Sequence, residues 1–409
     1  MIPKSVGLCI NQTAENWLSD ISTASASAID GFALNIGAGD HFTLDALRGA
    51  YDAASKFDNF TLFLSFDFNA AGTWNVDSIS NLTNTFKDEP AQFKVDGKPL
   101  VSTFEGVPFA DDWKDVRKKV KGDIFLVPDW TSLGPGGISK KMDNVDGHFS
   151  FDAWPSSGRG RVTTKSDEAN KRALGDKAYM MSVSPYFYTR IDKLKKNWYS
   201  SSDRLWYDRW EQVLDVGPDM VEIITWNDFG ESHYIGDIRE GQVIDSAKPY
   251  VDGLSHEGFR AILPYYVAAY KAGTREMALP EVMGDGVAVA WYRPTPANLT
   301  GCSDGGTKWG QGGDVTARAG VTDTINIIAV SRKDTALIIS MGDQTRTIEL
   351  LAGPPHYIQV PFADFGSQRG NVTITMNGET SQGPEITDSC PKSRIVSTRL
   401  SSVGFRSLC

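Results

Sequence analysis

Eight short apolar runs, most ending in polar or aromatic residues, fill the first two-thirds of the chain and restrict its fold more than any other feature. They are SVGLCI (5–10), GFALNIG (31–37), FTLFLSFDFN (60–69), PLVSTFEG (99–106), DIFLVPDW (123–130), GHFSFDAW (147–154), AYMMSVSPYFY (178–188) and MVEIITWND (220–228). Between them lie segments with helical content, such as 44–57, 109–120 and 202–216, and 258–273 follows the last. Strands alternating with helices point to parallel β-structure, because a parallel crossover needs a helix-sized connection. Eight such units in about 275 residues match the size of a (β/α)8 TIM-like barrel, ~250 residues. The fifth and sixth runs are separated by the Gly-rich text TSLGPGGISKKMDN, which leaves room only for a degraded unit. A doubly wound open sheet is the rival, but no GxGxxG follows any early strand.

From about Gly284 the pattern changes to short β-branched runs split by Gly, Pro and Asp: GVAVAWYRP, DTINIIAVS, TALIISMG, TRTIELLAG, HYIQVPF and NVTITMNG. That spacing predicts a C-terminal antiparallel β-sandwich. The expected division is a catalytic barrel over 1–278 and a sandwich over 284–409, since 409 residues exceed one ordinary core.

The net charge of −10 argues against nucleic acid or an anionic membrane as partner, because phosphate binding needs a basic face. The one basic cluster, Trp113 to Gly122, mixes signs and reads as a solvated helix face. No run of 18 apolar residues occurs, so no membrane span is expected. The N-terminus runs directly into a strand without a signal-peptide core. Sequons at Asn11, Asn59, Asn81, Asn298 and Asn371 nevertheless favour a secreted or cell-wall protein whose leader is absent from this chain, with an intracellular one left open. Of four cysteines, Cys9 reads as a buried thiol in an apolar strand. Cys302 and Cys390 lie in loop-like text and form the expected disulfide, with Cys409 as a competing partner.

Active sites of such barrels form at the C-terminal ends of the strands. Those ends carry Asn11, Asn35, Asp67, Glu105, Asp129 with Trp130, Trp154, Tyr186 with Tyr188, and the group Trp226, Asn227, Asp228, Glu231 and His233. Converging, they would line an acidic, aromatic cleft. Cleaving a glycosidic bond needs one protonated carboxyl for the leaving oxygen and a second carboxylate to activate water or attack the sugar. Asp228 and Glu231 are the candidate pair, with Glu231 assigned as acid and Asp228 as base and the order open. Asp67 is a third carboxylate, placed to raise the pKa of the acid or bind a hydroxyl. A separation in the inverting range of about 6.5–9.5 Å is compatible with a non-helical turn at 228–231. The remaining residues are expected to bind sugar through aromatic faces and hydrogen bonds. Each has a plainer reading. Asp228 and Glu231 read equally as a helix cap with its capping-box partner. Asp67 and Asp129 read as turn formers, Glu105 as a rim charge, and Trp130 and Trp154 as core aromatics. His233 reads as packing or substrate contact. No HxH, HExxH, GxSxG or Walker sequence occurs, so no metal or cofactor is expected.

The blocks LSFDFNA (64–70), VPDW (127–130), FDAWPS (151–156), SVSPYFYTR (182–190), YDRWEQVLDVGPDMVEIITWNDFGESHYIGDI (207–238) and GFRAILPYYVAAYKAG (258–273) resemble glycoside hydrolase family 71, the fungal-type α-1,3-glucanases or mutanases. The resemblance implies inverting hydrolysis of α-1,3-glucan, with Asp228 and Glu231 as the acid/base pair and Asp67 as a further acidic position. An endo-acting monomer is expected. Two rival readings are a non-catalytic glucan-binding wall protein using the same cleft, and a barrel glycosidase acting on another glycan.

Overall fold

Runs such as Gly31–Gly37, buried at six of seven positions, are apolar enough to be covered on both faces, and that is how they are used. The computed structural model describes residues 1–155, 158–297, 299, 306–389 and 401–406, with backbone alone at 319 and 401–406. Strands Ile2–Ser5, Gly31–Gly37, Thr61–Asp67, Lys98–Phe104, Phe125–Asp129, Gly147–Ser150, Ala178–Val183 and Met220–Ile223 lie side by side in chain order. Every neighbouring pair is parallel. The last strand meets the first through backbone bonds from Ile223 N to Met1 O (2.9 Å) and from Trp226 N to Pro3 O (2.9 Å), giving a nearly closed eight-stranded barrel.

The first strand departs from expectation. It is Ile2–Ser5 rather than 5–10, and Val6–Leu8 winds into a 3-10 turn. The reason lies across the seam: the Asn227 side chain accepts from Ser5 N (2.8 Å) and donates to Ser5 O (3.2 Å), so the ladder has no free backbone group with which to continue. Several other strands stop short of their apolar runs because a carboxylate captures the backbone. Asp67 Oδ1 accepts from Asn69 N (2.8 Å) and Ala70 N (2.9 Å), and Asp129 Oδ1 accepts from Thr131 N (3.0 Å). These Asx-type bonds turn the chain at the rim.

Helices Ala14–Ala26, Thr43–Ala54, Val76–Phe86, Trp113–Lys119 and Lys165–Leu174 follow barrel strands, and Leu205–Val216 precedes the last. The connection after the fifth strand holds the five-residue helix Gly134–Ile138 between two 3-10 turns, Thr131–Leu133 and Met142–Asn144, and no full-length helix, as its glycines foretell. Thr13 caps the first helix by accepting from Asn16 N (3.2 Å). Lys4, on the first strand, reaches that helix through a fully buried ion pair with Asp20 (2.6 Å) and lies 5.0 Å from the Trp17 ring centroid. No helix of the described residues is long and apolar enough to cross a membrane.

By packing, residues 1–153, 163–183 and 215–227 form the barrel unit, and 154–162, 184–214 and 228–409 form a second unit. The boundary expected near 278–284 falls inside that second unit. It contains the helix Leu263–Ala272 and two four-stranded antiparallel sheets. One sheet orders His356–Pro361, Thr324–Ser331, Gly286–Tyr292 and Ser401–Arg406; the other orders Gln344–Leu350, Thr335–Met341, Gly370–Met376 and Glu379–Ile386. Residues of both sheets, among them Tyr292, Ile327, Ile339 and Ile374, join one buried cluster. A smaller sheet pairs Tyr188–Ile191 antiparallel with Lys196–Tyr199. Cys9 is buried, and its thiol donates to Ser5 O (3.3 Å). Cys302 and Cys390 lie outside the described residues, as does Cys409.

Candidate active site

The chain leaves the last barrel strand at Ile223 and enters a turn spanning 229–232. Asp228 Oδ1 accepts from Glu231 N (2.9 Å), which is the capping geometry of the plainer reading, but a turn follows and not a helix. The same bond draws the two acidic side chains together. One carboxylate oxygen of each and a ring nitrogen of His233 lie within 4.8 Å of one another. His233 Nε2 is 3.2 Å from Glu231 Oε2 and 4.0 Å from Asp228 Oδ2. Lys196 Nζ donates to the other Glu231 oxygen at 2.8 Å. The backbone fixes this arrangement: Tyr188 N donates to Glu231 O (3.1 Å), and the Tyr250 hydroxyl donates to Gly230 O (2.8 Å). The imidazole is 1% exposed, whereas Glu231 (20%) and Asp228 (35%) remain open to a ligand.

The two carboxyls are electrostatically unlike. Burial pushes Asp228 above its ordinary value; His233 opposes this, and the like charge of Glu231 adds to it. Burial pushes Glu231 up as well, but the hydrogen bonds and charges of His233 and Lys196 outweigh it and hold Glu231 at about 2. A carboxylate pair with an imidazole has donors suited to a divalent cation, yet the Lys196 ammonium already supplies positive charge to Glu231, which disfavours a second cation there.

Aromatic rings pack around His233. The half-buried Trp154 lies 5.5 Å from it, ring to ring, and donates from Nε1 to Tyr186 O (3.1 Å). Phe187 lies 5.7 Å from His233. Tyr186 and Tyr188 are buried, Tyr188 edge-on to Tyr250 at 4.9 Å.

Within the barrel unit, the registers align Gly37, Asp67, Phe104 and Asp129 across four adjacent strands. Asp67 is fully engaged: besides its two amide bonds, its Oδ2 accepts from Asn35 Nδ2 (3.0 Å), and Asn35 Oδ1 accepts from Ser65 Oγ (3.3 Å). Glu105, one residue past its strand, accepts from Ser132 N (3.1 Å) and Ser132 Oγ (2.5 Å), which makes it a brace for the 131–133 turn. Asp129 is buried with Oδ2 unpartnered, and burial raises its carboxyl to about 7. Trp130 and Trp226 are each 1% exposed and present no ring face to a ligand; their packing reading accounts for them. Asn227 is spent on the barrel seam. Asn11 is exposed in the loop after the 3-10 turn, six residues beyond the strand it was expected to end.

The family model described as glycosyl hydrolase family 71 matches residues 5–397. The chain belongs to glycosyl hydrolase family 71. It is 35% identical over 407 residues to the glucan endo-1,3-alpha-glucosidase agn1 of Schizosaccharomyces pombe, covering 94% of this chain and 90% of that one. It is 32% identical over 395 residues to a mutanase of Penicillium rubens, covering 94% and 84%. Among solved structures it is similar to the GH99 endo-alpha-mannosidase of Bacteroides thetaiotaomicron, with a TM-score of 0.50, 14% identity and coverage of 64% and 86%, a likeness of fold alone.

This family 71 member is therefore a glycoside hydrolase. Beside the turn at 229–232, a carboxyl biased to keep a proton stands next to one biased to lose it. Lys196 escapes sequence reasoning. It sits in an unremarkable KLKKNW run, and it reaches Glu231 only because 188–191 and 196–199 form a hairpin whose first strand is bonded to Glu231.

Proposed function

We propose that this chain hydrolyses α-1,3-glucan, with Asp228 as proton donor and Glu231 as the ionised partner. The observation that carries this reading is the Asp228–Glu231–His233–Lys196 cluster, in which Lys196 (2.8 Å) and His233 (3.2 Å) both hold Glu231 closely, while His233 stands 4.0 Å from Asp228. The assignment reverses the order first expected from sequence. Asp228 delivers its proton to the glycosidic oxygen as the bond to the anomeric carbon breaks. Glu231 takes a proton from the attacking water. The names of two relatives, a glucan endo-1,3-alpha-glucosidase and an ascus wall endo-1,3-alpha-glucanase, support the substrate class and internal cleavage. We assign Asp67, whose carboxylate already accepts three hydrogen bonds, to ordering the end of its own strand.

Inversion is the outcome that the family resemblance implies. One observation favours a second reading. One oxygen of Asp228 comes within 4.8 Å of one oxygen of Glu231, a close approach that favours the shorter, retaining separation of about 5–5.5 Å over the inverting one of about 6.5–9.5 Å. In that case Glu231 attacks the anomeric carbon, and Asp228 later deprotonates the water that releases the glycosyl ester. Proton NMR of freshly cut product decides: a β-anomer supports inversion, an initial α-anomer retention.

The shared buried cluster of the two four-stranded sheets supports a β-sandwich, and we take the enzyme to act as a monomer. A relative named for the ascus wall supports secretion to a fungal wall. The direct test incubates the protein with insoluble α-1,3-glucan and measures reducing ends. Glu231→Gln and Asp228→Asn should each lower turnover by at least about a hundredfold while preserving the fold. Polymer that is bound but never cut by the parent protein would favour the glucan-binding reading, and cleavage of other glycans alone would favour a different glycosidase.

A further inference from the structure

A hollow of about 380 Å³ opens among Phe68, Asn69, Thr73, Trp74, Pro108 and Phe109 in the barrel unit. It lies just past the C-terminal ends of strands Thr61–Asp67 and Lys98–Phe104, on the face where barrels of this kind work. Its volume is within the range of small-ligand clefts, about 300–1,000 Å³.

The walls are built and not incidental. Phe68 rests on Gly106, where a Cβ would come within 2.5 Å of the ring, and Gly106 also has φ +95°, so only glycine seats this ring. Phe68 and Phe109 meet at 5.3 Å between centroids, and Phe109 is held edge-on by the buried Trp113 at 5.7 Å. Trp74 is locked by its Nε1 donating to Asp67 O (3.0 Å) and by edge packing on Phe66 at 4.9 Å. Phe68 and Phe109 are half-buried, so each keeps part of its ring surface open to the hollow. Beside them the exposed side chains of Asn69 and Thr73 make no hydrogen bond among the described residues. Rigid aromatic faces flanked by uncommitted amide and hydroxyl groups suit a ring that is apolar on its C–H face and polar at its rim.

We propose that this hollow is a glucosyl-binding subsite, with Phe68 and Phe109 as the platform and Asn69 and Thr73 as partners for sugar hydroxyls. The proposal rests on the glucanase reading above and adds where a substrate glucose unit is held. Alternatives elsewhere carry less: a cavity of about 310 Å³ bordered by Arg159, Arg161, Arg204 and Arg293 has its charges answered largely by Asp203 and Asp208.

The test uses a soluble α-1,3-linked glucose tetramer and the full chain carrying Glu231→Gln, so that the probe persists. Binding is measured by calorimetry and by the fluorescence of Trp74 against a Trp74→Phe control. Phe68→Ala and Phe109→Ala should each weaken binding about tenfold. Asn69→Ala should weaken it severalfold, without the risk of collapsing the aromatic wall. In the chain with Glu231 intact, Phe68→Ala should raise KM for the tetramer more than it lowers kcat. Affinities within twofold of the parent for both Phe68→Ala and Asn69→Ala overturn the subsite. Continued cleavage by the Glu231→Gln chain overturns the catalytic role of Glu231, and a parent chain that never cleaves the tetramer overturns the glucanase reading, so these failures are distinct from that of the subsite.

Discussion

An imidazole and an ammonium together divide the acidic pair. Lys196 Nζ touches one oxygen of Glu231, His233 the other, and neither touches Asp228 as closely. Glu231 therefore stays ionised into acid, while burial keeps a proton on Asp228 to higher pH. Replacing Lys196 by Met removes an attraction that lowers the Glu231 pKa, so that pKa rises. Activity that requires ionised Glu231 is then lost at a higher pH as acid is added. The acidic limb of the kcat/KM profile should shift upward by about one unit in Lys196→Met and stay near the parent's position in Lys196→Arg. An unmoved limb in Lys196→Met would sink the role assigned to Glu231.

Elements form here for local reasons, and some stop for distant ones, which explains what can be read in advance. Apolar runs and amphipathic stretches are local, so seven of the eight strands, the truncated fifth connection and the later β-rich region are legible in the residues, whereas the first strand lies ahead of its expected span of 5–10. Strand ends are set by partners. Ser5 ends its strand because Asn227, 222 positions away, takes its backbone groups. The acidic pair is legible because three residues separate its members; Lys196 is not, because a hairpin brings it in. Trp130 and Trp226 read as platforms from their place at strand ends, but a strand end does not say which way a ring turns. Close strand packing leaves its own mark at Gly31, where a Cβ would stand 2.0 Å from Thr61 O. Gly31→Ala should destabilise the protein by about 1–3 kcal/mol, measured as a lower midpoint in urea, because the second and third strands must part to admit a methyl group.

For the molecule as a whole, the barrel interior couples stability to pH. Glu222, buried on the last strand with Oε2 unpartnered, is raised to about 8, by burial first and by Asp129 in addition. Asp129 is raised to about 7. Unfolded, both would ionise near pH 4, roughly their ordinary value. Between that pH and 7–8 the folded chain holds more protons than the unfolded one, so these groups make stability fall as pH rises. Glu222→Gln keeps the shape and removes the liability. Its melting temperature should exceed the parent's by several degrees at pH 8, with the gap closing toward pH 4; equal values at pH 8 would refute the coupling. The bonds joining residues 1–5 to residues 221–227 have a consequence during synthesis. A ribosome must deliver some two hundred further residues before the opening strand receives its second neighbour. Throughout that interval one flank of the growing sheet offers bare amides and carbonyls to any passing chain, and a cell making this protein must shelter them.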